Sequence, residues 1–108
     1  MIIYRGTTPT FKWKIKDGNI DLAEIKQIWM TFKVAKSESS IFTKEIDDIE
    51  IDLDEKTISY QLTQEETLSF SCPIIEVQLR IVMNDGLAFA NKPQEIDVGR
   101  ILKGGVIQ

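Results

Sequence analysis

The 108-residue chain contains no histidine, so the side chain that most often serves as general base, proton shuttle and transition-metal ligand is missing. Cysteine is present once, as Cys72, which excludes an intramolecular disulfide and a cysteine zinc cluster. With no histidine to activate it, Cys72 reads as an inert thiol rather than a nucleophile. Prolines and glycines are sparse, three and six, and nowhere crowd into a linker or low-complexity tract. Long hydrophobic runs are also lacking: no stretch approaches the roughly 20 apolar residues of a spanning helix. The opening Ile2, Ile3 and Tyr4 give way at once to Arg5, Gly6 and Thr7, too soon for the apolar core of a signal peptide. Neither membrane insertion nor classical secretion is expected.

Acidic residues outnumber basic ones, 17 to 13, for a formal charge of −4. A duplex phosphate backbone is repelled on average by such a chain, so nucleic acid is not an expected partner. Lys12, Lys14 and Lys16 do alternate with Phe11, Trp13 and Ile15. That spacing describes a solvated strand face, or an edge strand whose lysines discourage pairing with other chains. Acids concentrate between Glu45 and Glu55, and oxygen ligands at that density suit calcium. However, Asp48, Glu50 and Asp52 alternate with Ile49, Ile51 and Leu53, which strings the carboxylates along one strand face about 6–7 Å apart instead of converging them. Ser37, Ser39, Ser40 and Ser71 have no histidine partner. Gly104 and Gly105 lack the lysine, hydroxyl residue and helix of a phosphate loop. No catalytic residue, metal site or cofactor is expected, and the chain does not read as an enzyme.

What the chain does have is period-two alternation. Val77, Leu79, Ile81 and Met83 lie on one face and Glu76, Gln78 and Arg80 on the other, the pattern of a half-buried strand. Similar runs predict strands over 2–4, 10–16, 28–35, 41–46, 48–53, 58–62, 75–83, 87–90 and 95–100. In the run over 41–46 the inward face is ambiguous, because Phe42 and Ile46 share parity with Lys44. Asp21 fits the cap of a short turn before the long strand from Ile28. The runs carrying Ile49, Ile51, Leu53 and Ile58, Tyr60, Leu62 on their inner faces read as a hairpin, and Asn84-Asp85-Gly86 is a second strong hairpin signal. Thr63 and Glu66 match a capping box for a short helix. Turn signals every 8–12 residues, many short strands and one helical turn near residues 64–70 predict a single domain over 1–108. Its expected fold is an all-β, immunoglobulin-like sandwich of about 7–9 mostly antiparallel strands.

Two surfaces stand out for binding. If Ile28, Met30, Phe32 and Val34 face inward, Trp29 faces outward, as does Val82 on its own strand. An exposed apolar patch of this kind marks protein contacts. The competing expectation is that the chain's own C-terminal segment or N-terminal strand covers Trp29. Ile101, Leu102, Val106 and Ile107 form the second candidate, since a segment this apolar is expected to be buried in its own subunit or in a neighbour.

Three strings, Arg5-Gly6-Thr7-Thr8-Pro9-Thr10-Phe11, Leu62-Thr63-Gln64-Glu65-Glu66-Thr67 and Gly99-Arg100-Ile101-Leu102-Lys103, look like small proteins encoded in prophages of Gram-positive gut bacteria. The order of elements also resembles the N-terminal sandwich domain of phage baseplate upper proteins. The resemblance implies a structural or adaptor protein of a phage tail or baseplate, made in the host cytoplasm and carried in the virion. Its implied partners are other tail proteins or further copies of itself. A small carbohydrate- or peptide-binding sandwich module using Trp29 is the alternative.

Overall fold

The computed structural model describes residues 2–108. Among them, nine strands form two sheets. The larger contains β1 (Ile2–Tyr4), β3 (Ile25–Val34), β4 (Ser40–Glu45), β7 (Ile74–Met83), β8 (Ala88–Ala90) and β9 (Gln94–Gly99), in the order β1-β9-β7-β3-β4 with β8 also paired to β7. The smaller contains β2 (Thr10–Lys14), β5 (Glu50–Asp52) and β6 (Thr57–Gln61), in the order β2-β6-β5. Only the β1–β9 pairing is parallel among the described strands. The chain passes between sheets after β1, β2, β4 and β6, which yields the strand order of an immunoglobulin-like sandwich. The last of these passages carries the helical turn α1 (Gln64–Leu68).

The central strands β3 and β7 make the core because their apolar faces coincide in register. Ile28 lies opposite Ile81, Met30 opposite Leu79 and Phe32 opposite Val77, and all six are buried. The smaller sheet closes over them with Phe11 and Ile58. Phe11 meets Phe32 edge-on at 5.4 Å between ring centres, and Phe70, from the segment after α1, stacks 6.2 Å from Phe32. Such aromatic pairs add about 0.5–1.5 kcal/mol beyond the area they bury.

Several local expectations are met by identifiable interactions. Asp21 accepts from the Ala23 N–H and starts a 3-10 turn over Leu22–Glu24. Thr63 and Glu66 form the reciprocal capping box at α1. Gly86, at φ 91°, makes the turn between β7 and β8, a conformation that glycine adopts without steric cost. Pro93, just before β9, cannot donate to the sheet, and Asn91 repairs the break. Its side-chain oxygen accepts from the Leu79 N–H at 2.9 Å, and its carbonyl accepts from Gln78 Nε2 at 2.7 Å.

Two expectations change. The register of β3 against β4 slips between Phe32 and Lys33, so that Ile41 has no cross-strand partner. That bulge lets both Ile41 and Phe42 pack on the core, which is why no simple alternation describes β4. In the β5–β6 hairpin, Ile49 is buried as expected, but Leu53 is 56% exposed. β5 ends at Asp52, whose side chain accepts from the N–H groups of Asp54 and Glu55 and bends the chain away before Leu53 can turn inward.

Candidate functional site

Trp29 and Val82 share the outer face of the larger sheet. Trp29 pairs with Arg80 and Gln27 with Val82, which makes Trp29 and Val82 diagonal neighbours at about 7–8 Å. Ala88 and Ala90 of β8 continue the two rows beyond Val82 and Arg80. Glu45 of β4 flanks Trp29 on the other side. The result is an apolar centre bordered by Gln27, Glu45 and Arg80. Trp29 and Val82 are each half-buried by these neighbours, and neither belongs to the core or packs against it. The proposed covers of Trp29 lie elsewhere. β1 stands at the far edge of the sheet, beyond β7 and β9, and the C-terminal segment is fastened at α1.

That fastening uses one side chain. Gln64 Nε2 donates to the Ile107 carbonyl and Gln64 Oε1 accepts from the Ile107 N–H, both at 2.8 Å. Ile101 is half-buried and presses its side chain on Gly6. The rest of the segment remains open: Leu102 is 97% exposed, and Val106 and Ile107 are exposed as well. The expectation of burial within the subunit therefore fails for Leu102, Val106 and Ile107. No strand or helix forms over residues 101–108 to present an apolar face. Trp29 with Val82 and this segment are two separate surfaces.

The strings over 5–11, 62–67 and 99–103 converge at the end of the sandwich that carries α1. The Arg5 N–H donates to the Gly99 carbonyl at 3.0 Å, and Arg5 Nη2 donates to the Leu68 carbonyl at 2.8 Å. Buried Thr67 accepts from the Gly6 N–H and donates to the Thr7 carbonyl, both at 2.9 Å. The Leu62 N–H donates to the Pro9 carbonyl at 2.9 Å. These bonds join the first crossover between the sheets to α1 and to the end of β9.

One cluster was not legible as such in the sequence. Glu66 accepts from Lys44 Nζ at 2.6 Å, from the Tyr60 hydroxyl at 2.8 Å and from the Thr63 N–H at 2.9 Å. Lys44 lies on the larger sheet, Tyr60 on the smaller and Glu66 on the helical turn, so one carboxylate ties all three together. The Lys44 ammonium also lies 5.3 Å from the Phe42 ring centre and 5.4 Å from that of Tyr60, within cation–π range. With side chains 24% and 14% exposed, Lys44 and Glu66 form a partly desolvated pair. Desolvation opposes ionisation of Glu66, but the bonds from Lys44, Thr63 and Tyr60 outweigh it and hold the carboxyl below its usual range. The bond to Glu66 holds Lys44 above its usual range. Burial, reinforced by the bond to Glu66, pushes the Tyr60 phenol up. The sequence signalled only parts of this cluster: the Thr63–Glu66 capping box, and Lys44 on the same face as Phe42.

Cys72 is half-buried, with its Sγ 3.3 Å from the Ile74 carbonyl. Among the described residues, no three of Cys, Asp and Glu converge to hold a metal ion, and no helix is long and apolar enough to cross a membrane. No protein-family model and no curated protein matches the chain.

Proposed function

We propose that this protein is a structural or adaptor module of a phage tail or baseplate that acts through protein–protein contacts. The observation carrying the contact reading is the outward, half-buried Trp29 beside Val82, an apolar centre with a polar rim on an open sheet face. Interfaces concentrate their binding energy in such aromatic anchors. Exposed Leu102, Val106 and Ile107 supply a second contact. The phage setting is supported by the resemblance of the three strings to prophage-encoded proteins, and virion localisation follows from it. Inducing the prophage, purifying particles on a density gradient and identifying their proteins by mass spectrometry tests the assignment. The protein is expected at a fixed ratio to the other particle proteins, and its absence from intact particles contradicts the proposal.

A carbohydrate- or peptide-binding module is the second reading. It is favoured by the same Trp29, whose neighbours Glu45 and Arg80 place hydrogen-bonding groups beside an indole face. A glycan array distinguishes the two: Trp29-dependent binding of a sugar favours the module.

A further inference from the structure

β2 is an edge strand: it pairs with β6 and with no other described strand. The Leu62 N–H bonded to the Pro9 carbonyl, and the Ile15 N–H bonded to the Lys56 carbonyl at 2.8 Å, fix the parity of that pairing. Odd-numbered residues direct their backbone groups toward β6, so the N–H and C=O groups of Lys12 and Lys14 point away from the sheet. Beside this edge, between the sheets, lies a cleft of about 230 Å³. Trp13, Ile15 and Ile20 line one side of it, and Leu79, Ile81 and Phe89 the other. Pockets for small molecules run to about 300–1,000 Å³, so this one is better matched to side chains inserted from a strand. Lys12, Lys14 and Lys16 are exposed along the outer face of the same edge, and none is ion-paired among the described residues. Asp17, at the end of the cleft, has its carboxylate turned to the Asn19 N–H.

We propose that the open edge of β2 takes an extended strand from a partner protein in which apolar and acidic side chains alternate. The unpaired groups of Lys12 and Lys14 form the main-chain bonds of strand addition. The apolar residues of the added strand enter the cleft beside Trp13 and Ile15, and its acidic residues lie over the three lysines. The period-two spacing of a strand puts these two sets on opposite faces, as the site requires. Lysines on the edge discourage β2 from pairing with β2 of another copy, whereas an acidic strand turns the same charges into attraction. This surface lies on the smaller sheet, apart from the Trp29 face, and its use does not depend on the function proposed above.

The probe is a blocked hexapeptide, Glu-Val-Asp-Val-Glu-Val, compared with Lys-Val-Lys-Val-Lys-Val. Both are titrated at up to millimolar concentration into the full chain and followed by amide chemical shifts and hydrogen exchange. The acidic peptide is expected to bind, to slow exchange at the Lys12 and Lys14 amides, and to bind less tightly as salt screens the lysines. Preference for the acidic peptide is diagnostic, because a chain of charge −4 repels it on average. Lys12→Glu with Lys14→Glu should weaken binding about tenfold or more. Lys14→Pro removes an outward-pointing donor together with one ammonium and is tolerated at an edge; it should abolish the slowed exchange at the Lys12 amide and weaken binding beyond Lys14→Ala, which removes the ammonium alone. The proposal is overturned if neither peptide binds, if both bind equally, or if a folded Lys14→Pro protein binds the acidic peptide as well as Lys14→Ala does.

Discussion

Replacing Leu79 with alanine removes a side chain that is 2% exposed in the centre of β7, and the cavity left behind should cost about 2–5 kcal/mol. Gln78→Ala removes the bond to the Asn91 carbonyl, worth about 0.5–1.5 kcal/mol. Urea denaturation of the two variants is expected to show the larger midpoint shift for Leu79→Ala. Equal shifts would contradict the register of β7. The Glu66 cluster predicts a pH dependence. Because the folded carboxyl titrates below its unfolded value, its contribution is complete above about pH 4.3 and is lost as the pH falls through the lowered value. Lys44 and Tyr60 are raised, so their contribution is lost on the alkaline side, as the pH climbs past about 10. Urea midpoints measured across both ranges should fall at each extreme, and Glu66→Gln should flatten the acid limb.

At the scale of elements, the first crossover is fixed by Gly6. It has φ 78°, and an added Cβ would come 3.1 Å from the Ile101 side chain. Gly6→Ala should destabilise the fold by about 1–2 kcal/mol from the left-handed backbone alone, read as a lower melting temperature. An unchanged value would contradict the crossover geometry. Legibility in the sequence divides along the same physical lines. β3 and β7 were readable because their two faces differ: Ile28, Met30 and Phe32 are fully buried opposite residues that reach solvent. The capping box at α1 was readable because Thr63 and Glu66 act on backbone only three residues apart. β4 was not, since a one-residue bulge breaks its alternation at Ile41. The Lys44–Glu66–Tyr60 cluster was out of reach because its members come from β4, α1 and β6, which only the closed sandwich brings together. The outward register of Trp29 followed from the strand pattern, whereas the openness of Leu102 reflects a segment that enters no sheet.

For the whole molecule, the sandwich sets its candidate contact surfaces on different sheets. The larger sheet shows Trp29 and Val82 on its outer face, and the smaller sheet carries Lys12 and Lys14 on one edge strand and Glu50 and Asp52 on the other. Apolar side chains outside the core are what the proposed docking role requires. The most direct test is sedimentation velocity of the wild type, of Trp29→Ala and of a chain ending at Arg100. Each is run over a concentration series, alone and with each protein encoded beside it. The account predicts a larger species for the wild type, weakened by about 2 kcal/mol or more when Trp29 is truncated while the fold is kept. A wild-type protein that stays monomeric at every concentration and binds none of its encoded neighbours would contradict it.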